Sequence, residues 1–395
     1  MRKYKLSEVG KIVSGATPKT SEPKYYGGEI PWLTPADLSG YDRKYISHGS
    51  RNITQMGYDS CSTQIMPAGT VLFSSRAPIG YVAIAQNPIC TNQGFKSIVP
   101  NENVNSEFLY YQLKYLRSQI QDMGSGTTFK EISAKRLGEV QVVLPGLDEQ
   151  ERIVARIEEL FSELDKAVET LEKTKQQLAV YRQAVIKSVL DSHYGNAKSV
   201  KIKEICSDIK VGIVIKPTQY YVNNNGVRAF RNANVRRNYI EDNDWAVISE
   251  QGHLQNHRSE VHEGDVLIAR SGVNLGMAAA VPQQYNGYNA IDVVIAVPKK
   301  DVVLPRYLAY FTNSPYGIQS VKKNQRGVAQ GHLNITVYGR LPILLPSLKI
   351  QKKIIEEIDA RLSSCDCIVR SVNTALQQAE AMRKGILKQA FEGRL

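Results

Sequence analysis

From Ile157 onward an apolar residue returns at every seventh position, at Leu164, Leu171, Leu178 and Val185. Ile153, Leu160, Ala167, Thr174, Tyr181 and Ser188 are the natural second row of such a stripe. A heptad repeat sustained over this length, with charged residues between its members, predicts a coiled-coil helix rather than a globular one. A related stripe runs through Ile354, Ile358, Cys365, Ile368, Val372, Ala375, Ala379, Met382 and Ile386, interrupted at Arg361 and Gln389. Pro145 and Pro346 stand where each helix is about to start, and Asp148 puts an acid at the first N-terminus. Both choices suit a helix start, because proline is pre-set for the first turn and the dipole favours negative charge there.

The two stripes belong to a longer copy. Residues 140–190 reappear at 341–391 without a gap, at a constant offset of 201. Val142-Val143-Leu144-Pro145 matches Ile343-Leu344-Leu345-Pro346, and Tyr181-Arg182-Gln183 matches Met382-Arg383-Lys384. Solenoid units run about 20–50 residues, so this period describes a whole domain plus a long helix, used twice. The predicted organisation is a globular unit at 1–145, a helix at 146–192, a second globular unit at 193–346 and a second helix at 347–395. A helix from Asp148 to Leu190 would be roughly 65 Å long and could not bury its stripe alone. The short connection between Ser192 and Ser199 predicts antiparallel pairing of the two helices, with a separate partner chain as the alternative cover. Such a pair would act as a ruler matching roughly 19 base pairs of duplex.

Within the globular units the period shortens. Strand patterns open each one, Tyr4 to Val9 and Val200 to Ile205, and Gly-led strands follow at Gly69-Thr70-Val71-Leu72-Phe73 and Gly264-Asp265-Val266-Leu267-Ile268. Turns with Gly80 and Gly276, then helix patterns at Ser106 to Ile120 and Pro305 to Val321, complete the shared frame. Many short strands with few helices predict an α+β class, with irregular loops carrying the variable chemistry.

Charge sharpens this picture. The 395-residue chain carries a net +12, distributed as +5 over 1–145, −3 over 146–192, +7 over 193–346 and +3 over 347–395. The excess lies mainly in the globular units, which suits a polyanionic partner whose counterions are released on binding. No run of 18 apolar residues exists and the N-terminus lacks a secretory apolar stretch, so a cytoplasmic protein is expected, with no membrane partner. Cys61, Cys90, Cys206, Cys365 and Cys367 have no zinc-knuckle spacing and are expected to be free thiols.

The halves differ most between their shared anchors. Val227 to Tyr239 in the second unit is rich in Arg and Asn, the side chains that pair in bidentate fashion with guanine and adenine edges. The equivalent Ile30 to Leu38 keeps the framework without those side chains, so two scaffolds would read two different half-sites. The candidate DNA contacts are Arg231, Asn234, Arg236, Arg237, Arg270, Asn274, Arg326 and Gln330 in the second unit. In the first they are Lys19, Trp32, Arg76, Lys96, Thr127, Thr128 and Lys130. The bland alternative is that the arginines are solvated loop charges. Adjacent tyrosines (Tyr25 and Tyr26, Tyr220 and Tyr221) read as strand-face packing before stacking or phosphate contact.

A search for chemistry finds none. The nearest approach to an amino-methyltransferase Asp/Asn-Pro-Pro-Tyr/Phe motif is Asn87-Pro88-Ile89, which lacks the aromatic clamp. There is no phosphate loop with Lys-Ser/Thr, and Gly124-Ser125-Gly126 reads as a turn. His253 and His257 are four apart but lack an acidic partner in sequence, so no metal site is expected.

Taken together, the chain resembles the specificity (S) subunit of Type I restriction–modification systems. The resemblance rests first on Leu144-Pro145-Gly146-Leu147-Asp148-Glu149-Gln150-Glu151-Arg152-Ile153, repeated more loosely at Leu345 to Ile354, which is similar to the family's Pro-x-Leu-x-x-Gln-x-x-Ile junction. Gly15-Ala16-Thr17-Pro18, Ile30-Pro31-Trp32-Leu33, the Arg76 to Gly80 turn and Gly126-Thr127-Thr128 are also similar. The second copy departs at Val211 to Pro217, which replaces the Gly15 to Pro18 pattern. The resemblance implies two target recognition domains, each binding half of a split, asymmetric DNA sequence, and antiparallel helices with pseudo-two-fold symmetry that set the spacer. It also implies docking of a pair of methyltransferase subunits, which would use S-adenosylmethionine on adenine, and of an endonuclease/translocase subunit. The chain itself would be non-catalytic and hold no cofactor. A Type IIB-like specificity subunit and a non-catalytic coiled-coil scaffold are the competing readings.

Overall fold

In each unit the chain opens with an edge strand that pairs back onto the strand leading into a long helix. A computed structural model describes residues 2–126, 130–195, 197–325 and 332–395. In the first unit Lys3–Lys5 runs antiparallel to Gln141–Val143, and in the second Lys198–Lys201 runs antiparallel to Pro342–Leu345. The strands predicted over Tyr4 to Val9 and Val200 to Ile205 end early: Leu6–Val9 and Ile202–Ile205 are single helical turns. The Glu8 carboxylate accepts the Lys5 N–H at 2.5 Å and Glu204 does the same for Lys201 at 3.3 Å, satisfying a free donor at the helix start. The turn swings both apolar residues, Leu6 with Val9 and Ile202 with Ile205, into the core.

The main sheets repeat. The first is ordered Gly10–Ser14, Lys96–Pro100, Val71–Ser75, Ile79–Ala85 and Tyr45–Ile46. The second is ordered Cys206–Val211, Val293–Pro298, Val266–Ala269 and Ala278–Ala280, with the same antiparallel pairings. Each unit adds a short parallel pair, Trp32–Leu33 with Cys90–Thr91 and Val227–Phe230 with Asn289–Ala290. This is the expected α+β class. The helix predicted over Pro305 to Val321 is broken into Pro305–Asn313 and Pro315–Gln325, because Pro315 disfavours a helical residue before it. All five cysteines are free. Among the described residues no helix is long and apolar enough to cross a membrane.

The long helices span Leu147–His193 and Leu348–Phe391. The chain divides into two compact units, Met1–Leu171 with Thr374–Leu395 and Glu172–Asn373, so each unit holds part of both helices. Inside each unit the two segments run antiparallel. In the first, Ile153, Val154 and Ile157 share a core with Leu387, Ala390 and Phe391. In the second, Val185, Ile186, Val189 and Leu190 pack with Ile354, Ile355, Ile358, Leu362 and Cys365. Phe391 also meets Phe108 edge-on at 5.3 Å and stacks on Tyr115 at 5.6 Å, so the last helical turn is part of the first unit's core. Aromatic pairs of this kind contribute about 1 kcal/mol each beyond their burial.

The every-seventh row is buried or half-buried throughout: Ile157, Leu164, Leu171, Leu178 and Val185. The second row is the predicted one only in part, with Ile153 buried and Leu160 and Thr174 half-buried. Ala167, Tyr181 and Ser188 are exposed, and the interior row lies one residue later at Phe161, Val168, Arg182 and Val189, while Ile153 and Leu160 are only shared with their neighbours Val154 and Phe161. The second helix shows the same shift. Ile368 and Met382 are 44% and 57% exposed, and Val369 and Arg383 take their places beside Val372, Ala379 and Ile386. Arg361 is no interruption, because Leu362 fills the seam there. The shift was hidden because two of the true seam positions are arginines.

Those arginines make the most informative contacts of the pairing. Arg383 forms an ion pair with Asp165 in the first unit, and Arg182 forms one with Asp366 in the second. Shifting either pair by 201 residues gives the other, which is the reciprocity of an interface between like surfaces.

Where helix meets globular unit, one fully buried amide does the fastening. Gln150 accepts the Asn105 N–H at 2.8 Å and donates to the carbonyls of Asn103 at 3.0 Å and Pro145 at 2.8 Å. Gln351 repeats this, accepting from Leu304 N–H at 2.8 Å and donating to Val302 at 3.0 Å and Pro346 at 2.9 Å. A second tie is electrostatic. In the first unit Lys44 pairs with Glu107 at 2.5 Å and with Glu158 of the long helix. Burial opposes the Lys44 charge, but the hydrogen bonds from Glu107 and Glu158 outweigh it and raise its pKa above 10.5. Burial likewise pushes Glu107 up, yet Lys44 and Tyr45 hold it below 4.5. A raised lysine gives stability that persists below its unfolded pKa, and a depressed glutamate gives stability that is lost as pH falls through its lowered value. The tie should therefore be intact across neutral pH. Lys44→Met is expected to cost about 1 kcal/mol near pH 7, and the difference from wild type should be smaller at about pH 3, because stability from a depressed glutamate is lost as pH falls. Urea midpoints of both proteins at the two pH values check this; an equal gap at both would remove the ion pairs as its cause.

Candidate nucleic-acid interface

Three loops of the second unit converge on Asn232. Its Oδ1 accepts the Arg270 N–H at 2.7 Å, and its Nδ2 donates to Ser271 Oγ at 2.8 Å and Asp292 Oδ2 at 3.3 Å. Its backbone carbonyl takes the Asn274 side-chain amide at 3.0 Å. The segment after Val227–Phe230, the turn after Val266–Ala269 and the residue before Val293–Pro298 are thereby held as one polar platform. Phe230 supports it from below, packed with Trp245 at 5.0 Å and Tyr285 at 5.8 Å.

The guanidinium groups on this platform are less free than their sequence suggests. Arg231 pairs with Asp244 at 2.8 Å, Arg236 with Glu241 at 3.7 Å and Arg270 with Asp292 at 3.2 Å. These acids lie in the same loops, so much of the local positive charge is balanced before any ligand arrives. Arg231 Nε, Arg236 Nη1 and Arg270 Nε nevertheless remain buried without a hydrogen-bond partner. An unmet buried donor costs about 1–3 kcal/mol, so the platform holds donors that an incoming acceptor would satisfy. Arg237 is exposed and has no ion pair among the described residues.

Asn234 is fully buried and serves the loop itself. Its Oδ1 accepts the Arg231 N–H at 2.9 Å, and its Nδ2 donates to Glu241 at 3.2 Å and Asn243 at 2.8 Å. With every polar atom engaged it shapes the 231–243 turn and is not placed to read a base. Asn274 is half-buried and spends its amide on Asn232.

The first unit shows a similar division. Trp32 is 5% exposed, donates its indole N–H to the Ala16 carbonyl at 3.0 Å and meets Tyr26 edge-on at 6.0 Å. Its burial and its bond to Ala16 make it part of the framework under the expected contact surface. Lys96 is also buried, with its ammonium on the Gln93 carbonyl at 3.2 Å and 3.8 Å from Glu131. Burial, helped by nearby Arg76, lowers its pKa against the pull of Glu131. Arg76 is half-exposed and 3.6 Å from the same carboxylate, while Lys19 and Lys130 are exposed. Thr127, Thr128, Arg326 and Gln330 lie outside the described residues.

Sequence reasoning passed over Asn232 and Asp292, which tie the platform together. Asp292 has φ of 53°, a left-handed conformation rare for residues other than glycine and asparagine or aspartate. It also passed over Val273, 97% exposed at the tip of the turn between Arg270 and Asn274. Among the described residues no group of three or more His, Cys, Asp or Glu side chains is arranged to hold a metal.

A family model described as the Type I restriction modification DNA specificity domain matches residues 1–179 and again 194–374. The chain belongs to this family. It is 44% identical over 179 residues to the MjaIX specificity subunit of Methanocaldococcus jannaschii, a match covering 44% of this chain and 41% of that subunit. The EcoBI specificity subunit of Escherichia coli is 24% identical over 402 residues, covering 95% of this chain and 78% of that one. A solved chain, from work on complex assembly and conformational transition of the type I R-M system, superposes with a TM-score of 0.70 at 18% identity. That likeness covers 100% of this chain and 98% of the other, and it speaks to fold alone. The family match falls twice, once on each copy of the repeated domain and helix.

Proposed function

We propose that this chain is the DNA-recognition subunit of a Type I restriction–modification complex. Each globular unit reads one half of a split sequence, and the paired helices fix the number of unread base pairs between the halves. The observation that carries this reading is the doubled family match on two units with the same strand order and unlike loop chemistry. Equal frames with unequal loops suit two different half-sites. The partners are methyltransferase subunits docked along the helices and an endonuclease/translocase subunit. The methyltransferase supplies S-adenosylmethionine and a pocket into which the target adenine is flipped. This chain contributes position and sequence choice and performs no bond chemistry of its own.

The antiparallel pairing makes the ruler test specific. A heptad inserted between Glu169 and Gln176 must be matched by one between Arg370 and Gln377, so that the Arg182–Asp366 and Arg383–Asp165 pairs keep their register. The two insertions lengthen the paired helices by about 10 Å, close to three base pairs of duplex. Methylome sequencing of cells expressing this chain with its neighbouring methyltransferase should show a longer spacer between unchanged half-sites. Altered half-sites with an unchanged spacer would refute the ruler, and no methylation from the unmodified pair would refute the function.

A further inference from the structure

The second unit carries a groove of about 870 Å³ between the Arg236–Tyr239 turn and the two long helices. Arginines dominate it: Arg182, Arg236, Arg237, Arg306 and Arg370, against the carboxylates of Asp359 and Asp366. Arg182 is held by Asp366, and Arg306 by Asp359 at 2.6 Å. Arg237 and Arg370 have no carboxylate partner among the described residues; Arg370 donates only to Cys367 Sγ, at 3.2 Å.

Two of the groove arginines have counterparts of opposite charge in the first unit, while the groove acids are kept. At the 201-residue offset Asp359 corresponds to Glu158, Asp366 to Asp165 and Arg370 to Glu169. Arg306, second residue of its helix, takes the place of Glu107, second residue of Ser106–Tyr115. What supports the fold is kept in both copies: the buried glutamines, the Arg–Asp pairs, and a tyrosine hydroxyl on the helix acid (Tyr310 to Asp359 at 2.6 Å, Tyr111 to Glu158 at 3.3 Å). The arginines at 306 and 370 are not, being replaced by Glu107 and Glu169. A partner that docks alike on both copies needs the same surface on each, so the groove serves something engaged on this side alone.

We infer that this groove holds the sugar–phosphate backbone of duplex DNA alongside the half-site read by the second unit. Guanidinium forks match phosphate geometry in bidentate fashion. The groove also begins at the very turn that bears Arg236 and Arg237, so a duplex lying on the platform would continue into it. The contact is sequence-independent: it adds affinity and orientation and leaves the bases read unchanged. The inference rests on the DNA-recognition reading above.

The test uses the assembled complex with its methyltransferase, and a duplex carrying its methylated site beside a scrambled duplex. Binding is measured across a salt series. Arg237→Gln with Arg370→Gln should lower the slope of log affinity against log salt by about two, near 0.9 for each phosphate lost. Affinity for both duplexes should fall by similar factors, with the methylated motif unchanged. Lysine at both positions should restore the slope, and Glu169→Gln in the first unit should cost nothing. An unchanged slope, with wild-type complex still preferring its site, overturns the groove and spares the function. Loss of methyltransferase binding without DNA would make the groove a protein contact and overturn it too. Wild-type complex with no preference for its site would overturn both.

Discussion

Gln150→Leu is expected to destabilise the first unit by about 4 kcal/mol, since each buried polar group stripped of its partner costs about 1–3 kcal/mol. The leucine fills most of the same space but takes from the Asn105 N–H and the Asn103 and Pro145 carbonyls the partner that the fully buried amide supplied. Gln351→Leu should do the same to the second unit through Leu304, Val302 and Pro346. Hydrogen exchange followed by peptide separates the two effects. Gln150→Leu should release protection around Asn103–Asn105 while Val302–Leu304 stays protected, and the reverse should hold for Gln351→Leu. A loss below about 1 kcal/mol, the net worth of one ordinary hydrogen bond, would mean the amide is not what fastens helix to unit.

Asn232→Ala should have the largest effect on recognition. It removes the side-chain bonds to Arg270, Ser271 and Asp292 and so unties three loops that carry most of the candidate contacts. A loss on the order of 3 kcal/mol corresponds to roughly a hundredfold weaker binding of the assembled complex to its target. Binding to scrambled duplex should change little, because phosphate contacts elsewhere remain. A methylome identical in motif and extent to wild type would show that the platform does not read DNA.

The sequence made the architecture readable because a repeat at fixed offset needs no knowledge of packing. It made the every-seventh row readable for the same reason. It misplaced part of the second row because seam positions Arg182 and Arg383 are charged, and only three-dimensional pairing with Asp366 and Asp165 reveals why they sit inside. Trp32, Lys96 and Asn234 looked like contacts by residue type, yet burial and local hydrogen bonds assign them to the frame. Residue type says what a side chain can bond; it does not say that a neighbouring carbonyl has already taken the bond. The acids at Asp244, Glu241 and Asp292 were equally plain in the sequence, but their partners are fixed only once the loops fold back.

The matched Arg–Asp contacts reach beyond stability. Each long helix bears an aspartate followed 17 positions later by an arginine, Asp165 then Arg182 and Asp366 then Arg383. Every helix thus offers both ends of the clasp, and none of the four residues belongs to a reading loop. Genetic exchange could therefore bring in a foreign globular module and a new target sequence while the zipper beneath closes as before.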